Sequence, residues 1–121
     1  MRGEEVIMPI IAIANQKGVI SKTSTTGNLG RALARSGRHI LVVDMDHQGA
    51  VTTAFGYIPD LLGSTIYEVC FRGVKTKEVI LVPEQVSHIH ILPANLSMTE
   101  GKLWLISEMG SAYFLKKRFA L

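Results

Sequence analysis

The stretch Ile10–Asp46, IIAIANQKGVISKTSTTGNLGRALARSGRHILVVDMD, decides the fold. Ile10 to Ala14 is an unbroken apolar run rich in β-branched residues, bounded by Pro9 and Asn15. A run of that kind predicts a strand buried on both faces, as in parallel sheets. From Lys22 to Ser36, Leu29, Ala32 and Leu33 recur at helical spacing, with Arg31 and Arg35 on the opposite side. Gly37 stands where a C-terminal helix cap belongs. Gly27 and Gly30 each weaken such a helix by up to roughly 1 kcal/mol, so it is expected to pack closely against a neighbour. His39 to Val43 predicts the next strand, with Asp44 and Asp46 at its C-terminal end. Strand, helix and strand over about 35 residues is the size of one right-handed βαβ unit.

The loop between the first strand and the helix, Asn15 to Thr23, carries Lys17, Gly18 and Lys22, and the hydroxyls of Thr23, Ser24, Thr25 and Thr26 follow. A loop that enters a helix N-terminus gathers backbone N–H groups and the positive end of the helix dipole around an anion. A triphosphate further requires a lysine for its β- and γ-phosphates and a hydroxyl for Mg²⁺, roles that Lys22 and Thr23 fit. The general phosphate-loop pattern G-x-x-x-x-G-K-[ST] has Gln16 and Ser21 at its two glycine positions here.

Outward from this core, Ala50 to Phe55 is a short helix or loop, and Gly56 to Gly63 is turn-like around Pro59-Asp60. Ser64 or Thr65 is positioned to cap a short helix ending near Phe71, and Thr76 to Ile80 forms another helical turn before Pro83. His88 to Leu92 predicts a third strand. Asn95 or Ser97 is placed to cap a helix with Leu103, Leu105, Ile106 and Met109 on its apolar face, and Ser111 to Leu121 is helical and basic. The fold class expected is α/β: a parallel sheet of about three strands flanked by helices, like that of P-loop nucleotide-binding proteins but incomplete, since doubly wound domains usually have five or more strands.

With 121 residues the chain is one domain at most, and 47% hydrophobic against 19% charged residues argues for a packed core. The net charge of +3 permits contact with nucleic acid without demanding it. A single cysteine, Cys70, excludes an internal disulfide and suits a reducing cytoplasm. No apolar run approaches the ~20 residues that span a bilayer, and the opening MRGEEVIMP lacks the pattern of a signal peptide.

Ile10 to Gly30 closely resembles the deviant Walker A segment of the ParA family of partitioning ATPases, whose loop runs K-G-G-x-G-K-[ST]-[ST]. Lys17, Gly18, Lys22, Thr23 and Ser24 match, while Val19 and Ser21 stand where that pattern has glycine. The stretch VVDMDHQGAVTTAFG resembles the family's D-x-D-P-Q-G segment, with His47 in place of proline. ILPANLSMTEGKLWLISEMG is similar to its third strand and following helix. The resemblance implies ATP and Mg²⁺ as ligands. Gly18 and Ser21 would line the phosphate loop, Lys22 would bind the β/γ-phosphates, Thr23 would ligate Mg²⁺, and Ser24 would bond the α-phosphate. Lys17 would be the signature lysine reaching a partner's nucleotide in an ATP-sandwich dimer. Asp44 would position the attacking water, with Asp46 a supporting carboxylate near the metal. Partners implied are a nucleotide-dependent homodimer, a centromere-binding ParB-like protein and non-specific DNA, with no membrane.

On this reading residues 1–121 are the N-terminal part of a single ParA-like nucleotide-binding domain, truncated or degenerate, because no apolar strand ending in a Walker B aspartate follows residue 110. The competing reading keeps the fold and drops catalysis, leaving an interaction module or remnant. Val19 and Ser21 favour it, since glycines in such loops permit close approach to phosphate. A MinD-type relative would use a C-terminal membrane helix and a nitrogenase iron-protein type would need more cysteines, and neither feature is present. An open sheet edge also predicts self-association. His88 and His90 share one strand face, but with no acid or cysteine at ligand spacing they read as structural. Lys116 to Arg118 read as a solvated helix face, Trp104 as part of a packed face, and Cys70 as a small apolar filler.

Overall fold

The computed structural model describes residues 9–13 and 19–100, with the side chains of residues 19–21 left aside. Lys17 and Gly18 of the loop, Trp104 and the basic segment Lys116 to Arg118 lie outside the described residues.

Helix α1 spans Val19–Arg35. It begins three residues before the expected Lys22, so Lys22 sits within its first turn and Thr23 and Ser24 follow directly. Arg35 in the last turn suits the helix dipole, while the first turn carries no acid of its own to complement the positive end. At its end Gly37 adopts φ 92°. Its N–H donates to Ala34 O at 3.0 Å, and the Arg38 N–H donates to Leu33 O at 3.3 Å. This pair of bonds is the Schellman arrangement, and it satisfies carbonyls the helix end would otherwise expose. The turn leads into β1, Ile40–Val43.

Four short elements follow: α2 (Ala50–Ala54), a 3-10 turn (Pro59–Leu61), α3 (Ile66–Phe71) and α4 (Thr76–Val79). The chain then returns as β2, Ile89–Leu92. Thr65 caps α3 through a capping box. Its hydroxyl accepts from Tyr67 N–H at 3.3 Å, and Glu68 Oε1 accepts from Thr65 N–H at 2.7 Å. At residues 95–97 the chain turns, with Asn95 Oδ1 accepting from Ser97 N–H at 3.0 Å, and residues 98–100 are helical.

β1 and β2 run parallel, with Ile40 opposite Ile89 and Val43 opposite Leu92. Alternation sends their side chains to two cores. On one face Ala34 of α1 and Val51 of α2 pack with Val42, Ile89 and Ile91. Gly30 faces this core, where a Cβ would stand 3.5 Å from Val42 Cγ2, an ordinary packing distance. On the other face Ile66, Val69 and Cys70 of α3 and Val79 of α4 pack with Leu92, Leu41 and Val43. Ile66, Ile91 and Leu92 are each 0% exposed. Burial of side chains this size contributes on the order of 1.5–3 kcal/mol each. Helices on both faces of a parallel sheet make the fold α/β, as expected.

The strand expected at Ile10–Ala14 is not formed over residues 10–13, which have no assigned secondary structure. Ile10 is 92% exposed and Ile11 62%. A strand persists only where a neighbour takes up its N–H and C=O groups. Among the described residues the sheet has two strands, and the far side of β2 is occupied by an antiparallel bridge between Leu81 and Ile91. Nothing described pairs with residues 10–13.

Candidate functional site

The C-terminal ends of the strands meet the start of α2 at a junction built on one carboxylate. Asp44 follows β1, and its N–H extends the ladder by donating to Leu92 O at 3.0 Å. The residue is 2% exposed. Its Oδ1 accepts from Asp46 N–H at 3.0 Å, and its Oδ2 accepts from Thr52 N–H at 3.0 Å and from the Thr52 hydroxyl at 2.7 Å. That hydroxyl oxygen in turn accepts from Ala94 N–H at 3.1 Å. One acid therefore joins the end of β1, the first turn of α2 and the segment after β2. Burying a carboxylate is costly, and these three donors offset the cost.

The arrangement also caps a helix that has no capping side chain of its own. The N-cap of α2 is Gly49, in a left-handed conformation at φ 64°. Glycine is required there, since a Cβ would stand 2.7 Å from both Ala94 O and Pro59 Cγ. Asp44 reaches the Thr52 N–H, third in the helix, which a capping side chain would normally serve.

Asp46 has different surroundings. Its side chain keeps 17% exposure, and its Oδ1 accepts from Gln48 N–H at 3.1 Å. His47, where the resembled pattern has proline, places Nδ1 3.6 Å from the same oxygen, and Nδ1 is buried without a hydrogen-bond partner. Asp46 thus stands at the open side of the junction, and Asp44 at its closed side.

The α1 N-terminus lies at this same end of the sheet. The short turn at residues 36–39 reverses the chain, so α1 runs opposite to β1, and Gly30 is level with Val42. Lys22 lies eight residues before Gly30, about 12 Å along the helix toward the Asp44 end. Lys22 and Thr23 are half-buried and Ser24 is exposed. The first four N–H groups of a helix have no intrahelical acceptor, which suits the start of α1 to an anion. By this reckoning Lys22, Thr23 and Ser24 lie toward the end of the sheet that carries Asp44 and Asp46. Ser21 contributes backbone to the same helical turn, while Lys17 and Gly18 lie outside the described residues. Among the described residues no group of three or more His, Cys, Asp and Glu is arranged to hold a metal. A Mg²⁺ ion there fits one protein hydroxyl with phosphate oxygens and water, the way this ion is usually bound with nucleotides.

Thr52 completes this junction although no sequence motif singles it out; the only signal is that a strand-end acid destined for burial needs donors, and a threonine lies eight residues on. His90 is half-buried on β2 opposite Leu41, and His88 meets His39 rather than His90.

The AAA domain family model matches residues 8–120. An uncharacterised protein of Mycobacterium tuberculosis is 36% identical over 101 residues, which are 84% of this chain and 32% of that protein. The chromosome partitioning protein ParA of Myxococcus xanthus is 33% identical over 115 residues, 95% of this chain and 40% of its own length. This chain therefore spans well under half the length of these relatives. Among solved structures, cobyrinic acid a,c-diamide synthase from Mycobacterium smegmatis, with bound ADP and magnesium, superposes with a TM-score of 0.78 at 34% identity. That match covers 88% of this chain and 43% of the other.

Proposed function

Because this chain belongs to the ParA-type AAA domain family of P-loop ATPases, we propose that it binds Mg-ATP at the α1 N-terminus and takes part in chromosome or plasmid partitioning. What supports this reading is that α1 runs opposite to β1 with Gly30 level with Val42, which directs its first turn, with Lys22 and Thr23, toward the Asp44–Asp46 end of the sheet. Residues 1–121 form part of one nucleotide-binding domain on this reading.

The backbone of Gly18 and Ser21 would line the phosphates, Lys22 would neutralise the β/γ-phosphates, Thr23 would ligate Mg²⁺ and Ser24 would bond the α-phosphate. Lys17 would reach a second copy's nucleotide in a dimer formed on ATP. Bound Mg²⁺ would supply charge stabilisation to the phosphoryl oxygens, and the chain's own part would be positioning and electrostatics. Geometry favours a division of labour between the acids. Asp44, with its three donors and near-complete burial, holds β1, α2 and the Ala94 segment in register. Asp46, whose side chain keeps 17% exposure, is the carboxylate we assign to a metal-bound or attacking water, in place of the Asp44 that the resemblance implies. A ParB-like partner, non-specific DNA and a cytoplasmic setting complete the proposal. Among the described residues no helix is long and apolar enough to cross a membrane.

The experiment is a titration of the chain with a fluorescent ATP analogue alongside Lys22→Ala, then phosphate release from Asp46→Ala. The reading expects Lys22→Ala to lose binding by about tenfold or more and Asp46→Ala to bind without turnover, losses typical of charge-assisted contacts. Equal weak binding by wild type and Lys22→Ala would sink it. Tight binding by the wild type with no phosphate release would favour the inactive interaction module instead.

A further inference from the structure

We propose that His39 and His88 form a site for a borderline divalent transition-metal ion of the Zn²⁺ class, at the end of the sheet opposite Asp44. His39 immediately precedes β1 and His88 immediately precedes β2. The Ile40 N–H donates to His88 O at 2.8 Å, which holds the two histidines level across the ladder. Their rings meet edge to face, with centroids 4.6 Å apart and planes at 79°.

The decisive distance is 3.3 Å between the two Nδ1 atoms. Zinc–imidazole bonds of about 2.0–2.1 Å at a tetrahedral angle place two ligand nitrogens about 3.3–3.4 Å apart. The pair is therefore already at the spacing that one shared ion demands. His88 achieves this at φ 69°, making it the non-glycine residue with positive φ among the described residues. Backbone held in this region against its intrinsic preference is a recurring mark of functional positions. Both residues are exposed, so an ion has direct access and water fills the remaining coordination positions. Imidazole nitrogen suits Zn²⁺, Cu²⁺ and Ni²⁺, whereas Mg²⁺ selects oxygen, so this site and the proposed nucleotide site do not compete for one ion. With two protein ligands the site is open and exchangeable, unlike closed four-ligand structural zinc sites.

The same distance also suits a plain N–H···N bond between neutral rings, and the test separates the two. The full chain, stripped of metal, is titrated with ZnCl₂ by calorimetry beside His39→Asn, His88→Asn and a His90→Gln control. Asparagine tolerates the left-handed region, so His88→Asn removes the imidazole without forcing the backbone to change. The proposal expects one ion per chain, at least about a tenfold loss of affinity in each asparagine variant, and none in the control; even outer-shell losses cost metal sites about 10–100-fold. No binding by the wild type overturns it, as does unaltered binding by His39→Asn and His88→Asn. Nitrogen-detected NMR of the wild-type imidazoles covers the case of a variant that fails to fold. Zn²⁺-induced shifts at Nδ1 of His39 and His88 support the site, and shifts confined to other histidines overturn it.

Discussion

Asp44 and Asp46 are the same residue two positions apart, and the fold gives them opposite circumstances. Asp44 is 2% exposed with three donors on its oxygens, whereas the Asp46 side chain remains 17% exposed beside His47. Thr52 decides how firmly Asp44 is held, since its N–H and hydroxyl both donate to Oδ2 and its hydroxyl oxygen accepts from Ala94. Thr52→Val keeps the shape and removes the hydroxyl, leaving a buried carboxylate short of one donor and Ala94 N–H without an acceptor. The expected cost is about 1–3 kcal/mol, seen as a lower urea midpoint with an unchanged slope. Thr52→Ser, which keeps the hydroxyl, recovers most of it. If valine and serine melt alike, the hydroxyl is not what secures the junction.

At the scale of elements, short helices are held by their ends more than by their lengths. α3 has six residues, too few to persist alone. Thr65 is 0% exposed, and its reciprocal bonds with the first turn of α3 and with Glu68 fix where the helix starts. Thr65→Ala is expected to cost about 1 kcal/mol in thermal or chemical unfolding, and Glu68→Gln much less, because an amide oxygen can still accept from Thr65 N–H. A larger loss in Glu68→Gln than in Thr65→Ala would contradict this account of the cap. α1 needs no such help, being 17 residues long and closed by the Gly37 turn. Its start at Val19 instead of Lys22 carries the lysine and the hydroxyls into the helix, where their backbone positions are set by the ladder.

At the scale of the molecule, the described residues form a two-stranded sheet with helices on both faces, and the outer edge of β1 has no partner among them. Ile10, Ile58, Leu61, Val82 and Leu96 are each more than 60% exposed. Open edges and exposed apolar side chains favour association. Size-exclusion chromatography with light scattering is expected to show mass rising with concentration, and a sharp monomer peak across the range would contradict it. The local features of this fold were legible because each is signalled within a few residues. Alternation and β-branching marked β1 and β2, Gly37 marked the end of α1, and Thr65 with Glu68 marked α3. The strand at residues 10–13 was misread because its apolar pattern is local, whereas a strand exists only by pairing with a distant segment. The same reason hid the contact of His39 with His88, 49 residues apart, and the bond from Ala94 to Thr52, 42 residues apart. The sequence by itself determined the α/β class and which residues are candidates for the chemistry. Only the tertiary structure decided which of the two aspartates is locked and which is open, because burial and donor supply come from residues far along the chain.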